Sequence, residues 1–314
     1  MGRVLKLGVL IGVVVFLSVG GVVGYYHYKM FSSSKRGLSG YHYYWFEKLR
    51  ESRLSLKYYK NSSYLIIKAT SKTLSSKRFR LLRENFRHRG LGAKRLNSHI
   101  VILLHGKNGI KEDLLPLAEK FAAMGFISII PTLPLESKRA HKGIFNLEAS
   151  FLDTILDDAK KHIDIHKKIA IWGFSLGGAY AILNVAHSKY RFSAIALFST
   201  FDNLEYVIRD KSQALFGKNL GEFIADIFIK SLRVIDKIEI EKTDITRYAK
   251  EIDIPVLLIH GSEDKIVSYK RAKELYKSFA SKKKFFIVDK SNHKSVLKWN
   301  LLCKSGFFLI KGAL

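Results

Sequence analysis

Apolar and polar positions divide this chain into three regimes. Over residues 7–23 (LGVLIGVVVFLSVGGVV) nothing is charged, and Gly24, Tyr25 and Tyr26 extend the run. About 20 such residues cross a bilayer core at 1.5 Å per residue. Between residues 31 and 98 apolar and basic positions mix without a long period. From His99 onward, short continuous apolar runs alternate with stretches in which apolar residues recur every three or four positions.

The third regime predicts strands buried on both faces and separated by helices. Residues 99–104 (HIVILL), 126–130 (FISII), 168–172 (KIAIW), 194–199 (AIALFS), 255–260 (PVLLIH) and 284–288 (KFFIV) read as the strands. Residues 111–124, the stretch marked by Leu147, Phe151, Ile155 and Ala159, and residues 177–187 and 269–280 read as helices, with Gly125 ending the first. Strands joined through helices require right-handed crossovers. The expectation is an α/β fold: a mostly parallel central sheet covered by helices on both faces, with its site at the carboxyl ends of the strands. Upstream, residues 55–70 (SLKYYKNSSYLIIKAT) predict a hairpin that turns at Asn61, Ser62 and Ser63.

The first regime has Arg3 and Lys6 ahead of it and Tyr25, Tyr26, Tyr28, Lys29, Lys35 and Arg36 behind it. Aromatic and basic flanks of this kind belong at a headgroup boundary. A cleaved signal peptide would have a shorter apolar region and small residues at its cleavage site, whereas this run is long and bulky residues (YYHYKMF) follow it. The expectation is a single-pass protein with an uncleaved N-terminal membrane anchor over residues 1–30, its orientation open because basic residues flank both ends. Residues 31–98 are expected to hold a linker, the hairpin and a basic arm. Tyr41, Tyr43, Tyr44, Trp45 and Phe46 either lie along the membrane interface or pack on the domain. The arm at 77–95 carries eight Lys or Arg residues and one acid, Glu84, and reads as a solvated connection or as a headgroup patch.

Composition narrows the function further. Cys303 is the only cysteine of 314 residues, which excludes a disulfide framework and a cysteine-rich zinc site. The formal charge of +27 is spread along the chain, mostly as lysine. It draws the surface towards lipid headgroups, nucleic acid or acidic substrates. Without a zinc-finger, RNP or basic-zipper pattern the charge implies no specific nucleic-acid partner. No H-E-x-x-H, clustered His/Asp set or Walker-type loop occurs, so no metal and no cofactor is expected.

Residues 173–177 (GFSLG) match G-x-S-x-G, which chance supplies in about one chain of this length in ten. Its setting is more specific: it closes the strand KIAIW and opens the helix GGAYAILNVA, as a nucleophile elbow must. Glycines flank Ser175 where a Cβ would strike neighbouring backbone. A serine hydroxyl needs a base, and the base needs a group that fixes its tautomer. Asp264 follows the strand PVLLIH and His293 follows the strand KFFIV, so Ser175, Asp264 and His293 are the candidate triad. Glu263 and Asp202, the latter after AIALFS, are rival acids. An oxyanion needs N–H donors. Leu176, next to Ser175, supplies one, and Lys107 in the loop 105–109 (HGKNG) is assigned the other. His105 and His260, each before a glycine at a strand end, read as loop-packing residues.

On these residues the chain resembles the α/β-hydrolase superfamily, in particular its serine aminopeptidase-like, dienelactone hydrolase-like and prolyl oligopeptidase-like branch, which includes membrane-anchored members. The resemblance is carried by HGKNGIKEDLLPLAEKFAAMGF, IAIWGFSLGGAYAI, YAKEIDIPVLLIHGSEDKIVS and the SNH ending at His293, across roughly residues 99–300. It implies a catalytic domain over 99–314 with a cap inserted at 201–254. Two departures stand out. The family's Asp-x-Arg-Gly-x-Gly-x-Ser stretch is PTLPLES here, and the glycine that often precedes the catalytic histidine is absent from DKSNH.

Within the expected cap, Phe216, Leu220, Phe223, Ile227 and Phe228 form an apolar helical stripe. A cap that lines a pocket mouth suits a hydrophobic acyl ester or thioester, from a small molecule or a lipid. Two other functions stay open: a serine peptidase or amidase with the same triad, and a non-catalytic, membrane-anchored binding protein on a hydrolase fold.

Overall fold

The structure, a computed structural model, describes residues 20–25, 28, 37–134, 151–235 and 237–311. Most of the expected anchor, and residues 135–150 with Leu147, lie outside the described residues. Among those described, no helix is long and apolar enough to cross a membrane.

Helix α1 (Gly40–Glu51) leads into the sheet. Its aromatic residues divide: Trp45 and Phe46 pack against the core, while Tyr41, Tyr43 and Tyr44 stand half exposed. Strands β1 (Leu54–Tyr59) and β2 (Tyr64–Ala69) form the expected antiparallel hairpin, with Lys60, Asn61 and Ser62 at positive φ in its turn.

The basic arm is not a solvated connection. It is a packed helix, α2 (Lys77–His88), capped by Ser76, whose Oγ accepts from the Phe79 N–H. Phe79 and Phe86 are wholly buried. Arg83 is buried too, and its guanidinium donates to the carbonyls of Ala123, Ala93 and Lys94 at 2.8, 3.1 and 3.2 Å. Five Lys or Arg residues on the helix mask an inward face at helical spacing, on which one of those cations, Arg83, caps carbonyl groups.

The remaining elements alternate as expected: β3 (His99–Leu104), a 3₁₀ turn running into α3 (Leu115–Met124), β4 (Phe126–Pro131), α4 (Phe151–Ala159), β5 (Ile169–Phe174), α5 (Leu176–His187) and β6 (Phe192–Phe198). Helices α6 (Leu204–Phe216), α7 (Lys218–Val234) and the short α8 (Ile245–Ala249) come next, then β7 (Val256–Gly261), α9 (Tyr269–Ser278), β8 (Lys283–Val288) and α10 (Trp299–Lys311). Gly125 ends α3 at φ +105°, a left-handed cap that glycine adopts without strain.

One eight-stranded sheet runs in the order β1-β2-β4-β3-β5-β6-β7-β8. The β1/β2 and β2/β4 pairs are antiparallel and all others parallel. Successive β3 residues enter different core clusters, Ile100, Ile102 and Leu104 in one and Val101 and Leu103 in the other. Since strand residues alternate faces, the sheet is covered on both sides.

Helices α6 and α7 form a hairpin between β6 and β7, where the cap is expected. Its buried stripe differs from the expected one: Gly221, Ile224, Ala225, Phe228, Ile229 and Leu232 face inward, while Leu220 and Phe223 are exposed. The pivot is Gly221, where an added Cβ would lie 2.5 Å from Gln213 Cα of α6. The two helices touch there, and a hydrophobicity count gives glycine no weight.

Candidate active site

Ser175 sits between β5 and α5 at φ 53° and ψ −119°, a strained conformation for a residue with a side chain. The turn is held by the Ser175 N–H donating to the Phe198 carbonyl at 2.7 Å. Its glycines are sterically required. A Cβ on Gly177 would stand 2.4 Å from the carbonyl oxygens of Leu104 and His105, and one on Gly173 2.6 Å from that of Gly177.

Asp264 and His293 come from the loops after β7 and β8, and the His293 Nδ1 lies 2.7 Å from Asp264 Oδ2. Both residues are buried. The other carboxylate oxygen accepts from the N–H groups of Ile266 and Val267, each at 2.9 Å. Burial pushes the Asp264 carboxyl up, but the His293 hydrogen bond and charge, together with those two N–H groups, hold it below the usual carboxylate range. Nδ1 is engaged by the acid, so Nε2 is the ring nitrogen left open. The Ser199 hydroxyl donates to the His293 carbonyl at 3.0 Å and steadies that loop.

The Phe174 ring lies 5.1 Å, centroid to centroid, from the His293 ring, so the neighbour of Ser175 touches the imidazole. His293 is hydrogen-bonded to Asp264 and not to Ser175, a contact that often tightens only when substrate binds.

The rival acids are placed elsewhere. Asp202 meets Arg271, 3.3 Å away, and burial pushes its carboxyl up to about 6 against the pull of that guanidinium. Glu263 is exposed. His260 is closer to the chemistry than a loop-packing residue need be. It is wholly buried, its Nε2 donates to the Val267 carbonyl at 2.9 Å, and the same nitrogen lies 3.4 Å from Asp264 Oδ2. Burial lowers its basicity, keeping it neutral. Only its place four residues before Asp264 hinted at this in the sequence.

Ser175, Leu176 and Lys107 line one cavity of about 530 Å³. Phe201, Leu204, Val207 and Ile208 of the cap approach, Ile224 and Phe228 of α7, and Ile266 supply its apolar wall. Asp264 and His293 are not among the lining residues. Leu176 begins α5, so its N–H has no partner within the helix and points outward at the positive end of the dipole.

A family profile described as "Serine aminopeptidase, S33" matches residues 220–297, the stretch holding Asp264 and His293, and one described as "Putative serine esterase" matches residues 94–208, which hold Ser175. No curated protein matches the chain. Similar solved structures include a "putative lipase (lip1)" from Acinetobacter baumannii AYE, 15% identical over 88% of this chain and 98% of that one, TM-score 0.57. Another is the esterase Pf2001 of Pyrococcus furiosus, 16% identical over 84% and 95%, TM-score 0.56. A membrane phospholipase A, a bacterial virulence factor, is 14% identical over 96% and 97%, TM-score 0.56. Identities this low establish the fold. Together with the two profile matches they define a hydrolase. The chain belongs to the α/β-hydrolase superfamily.

Proposed function

We propose that this chain is a serine esterase that cleaves an ester or thioester of an apolar acyl group through a covalent acyl-enzyme. Ser175 is the nucleophile, His293 the base, Asp264 the carboxylate that holds the imidazole, and the N–H groups of Leu176 and Lys107 the oxyanion donors. One observation carries this assignment: a 2.7 Å bond joins two buried partners, His293 and Asp264, beside a strained elbow that presents Ser175 to an apolar cavity.

Ser175 Oγ attacks the acyl carbonyl as His293 Nε2 takes its proton. Negative charge moves to the carbonyl oxygen, where two fixed N–H donors stabilise it; losing one typically costs about 2.7–4 kcal/mol. Collapse expels the alcohol or thiol, which leaves with the proton from the imidazolium. Water then gives a proton to Nε2 as it attacks the acyl-enzyme, and collapse breaks the acyl–Oγ bond, returning that proton to Ser175 Oγ as the carboxylic acid departs. Asp264 stays ionised throughout and stabilises the imidazolium.

The serine aminopeptidase profile favours a second reaction, amide cleavage with the same residues. The cavity speaks against it, since no carboxylate among its described lining residues could meet a substrate ammonium. The proposal also places the protein at a membrane, held by the apolar run at 7–26, and its support there is the run's length and its aromatic and basic flanks.

A fluorophosphonate probe tests the nucleophile: the protein is labelled and a folded Ser175→Ala variant is not. Esters of medium and long acyl chains should be cleaved in preference to acetyl esters and to aminoacyl anilides. Equal labelling of wild type and variant would remove Ser175 from the reaction.

A further inference from the structure

The cap hairpin carries apolar surface that neither core cluster uses. Helix α6 ends and α7 begins within residues 211–221 (KSQALFGKNLG), and there Leu215, Leu220 and the nearby Phe223 are 59%, 51% and 54% exposed. Ile224, Ala225 and Phe228 of the same α7 form cavity wall. Leu220 is one turn from Ile224 and Phe223 adjoins it, so the exposed patch continues the cavity lining outward. Clustered large apolar side chains left half open to water mark a contact surface.

Charge indicates what contacts it. No acid occurs between residues 211 and 221. The exposed Lys211 lines the cavity, and neither it nor Lys218 forms an ion pair among the described residues. The nearby acids are drawn elsewhere, because Glu205, Glu222 and Asp226 all converge on Arg209. An apolar tip rimmed by unpaired lysines suits the headgroup layer of an anionic bilayer.

The N-terminal run ends at the same place. Tyr28, two residues beyond it, lines the cavity, and Val23, inside it, packs against the core cluster that holds Phe201, Leu204, Ala225 and Phe228. A membrane that receives the run therefore meets the mouth of the cavity and the hairpin beside it.

We propose that the α6–α7 tip docks on an anionic lipid bilayer, so that the acyl ester enters the cavity from the lipid phase. This rests on the esterase proposal and adds the phase that supplies the substrate.

Because the native Cys303 is buried, a bimane label can be directed to the tip of the full chain through Phe223→Cys. In phosphatidylglycerol–phosphatidylcholine vesicles its emission should shift to the blue and resist an aqueous quencher. In a second arm, the triple variant Leu215→Asp, Leu220→Asp, Phe223→Asp should hydrolyse a vesicle-embedded acyl ester about tenfold more slowly, yet soluble p-nitrophenyl butyrate within about twofold of wild type. A label fully quenched in vesicles, or a triple variant as fast as wild type on both substrates, overturns the docking. So does protection in lipid-free detergent that tracks dimer formation, since the occupant is then a second copy. A protected label on a protein that cleaves neither ester leaves the docking standing and removes the esterase proposal.

Discussion

Gly261, the last residue of β7, lies so close to Ser291 that a Cβ there would stand 2.1 Å from the Ser291 carbonyl oxygen. The same carbonyl accepts from the Glu263 N–H at 3.0 Å. The loops that carry Asp264 and His293 are thus in register through backbone, two residues from His293 and three from Asp264. Gly261→Ala must push them apart. Displacing reacting groups by about 1 Å costs on the order of 100-fold in rate, whereas overpacking costs about 1–3 kcal/mol of stability. The variant should therefore fold, with kcat falling far more than the urea midpoint does. A kcat near wild type would show that the loops need no such contact.

Asp264→Asn should lower kcat by about 10⁴ while near-ultraviolet circular dichroism is unchanged, because the amide no longer fixes the working tautomer of His293. Combined with Ser175→Ala it should add nothing measurable, as groups acting in one step are non-additive. Additive losses would mean that Ser175 and Asp264 serve separate reactions.

Asp202 gives a separate test, because its carboxyl is raised to about 6 by burial and it binds Arg271 rather than His293. An acid whose pKa rises on folding holds its proton more tightly in the native state. Its contribution favours folding below the unfolded carboxyl range and is lost as pH climbs from about 4 to about 6. Asp202→Asn should remove that slope, so the variant gains on wild type between pH 4 and pH 7 in urea midpoint. Its kcat should stay within about tenfold of wild type, since the carboxylate bonded to His293 is that of Asp264. Parallel stability curves would contradict the raised carboxyl, and a collapse of kcat would make Asp202 the acid.

Much of this architecture was legible in the sequence because buried strands write themselves as continuous apolar runs. The elbow was legible too, since only glycines fit at position 177, beside the backbone of Leu104 and His105, and at position 173, beside that of Gly177 and Gly178. Other features were hidden for physical reasons. The inward face of α2 includes Arg83, a charge that composition assigns to solvent, and the inward face of α7 includes Gly221, which scores as neither apolar nor polar. His260 reads as a strand-end residue, because its approach to Asp264 arises from the fold of the 261–267 loop and not from spacing.

Arg83 makes the packed role of α2 measurable. Its guanidinium caps three carbonyls contributed by the end of α3 and by the 93–94 segment. Removing a buried charged donor leaves those acceptors short of partners at about 1–3 kcal/mol each, partly recovered by water. Arg83→Ala should cost about 2–4 kcal/mol in chemical denaturation without changing KM. A loss below about 0.5 kcal/mol, the range of ordinary surface substitutions, would return this residue to solvent.

Ile224 tests where the acyl chain lies. It is 4% exposed and forms cavity wall on α7, in the same lining as Ser175. Ile224→Trp adds bulk to that wall, and a hydrophobic pocket discriminates by about 1–3 kcal/mol for each methylene it gains or loses. The rate constant kcat/KM for decanoyl and longer esters should fall about tenfold or more, while acetyl and butyryl esters stay within about threefold, because a short chain ends before it reaches the added ring. Activity profiles across acyl length, taken beside circular dichroism to confirm folding, read this directly. An equal loss at every length would mean that the chain runs elsewhere, and that the apolar wall of the cap serves packing instead of recognition.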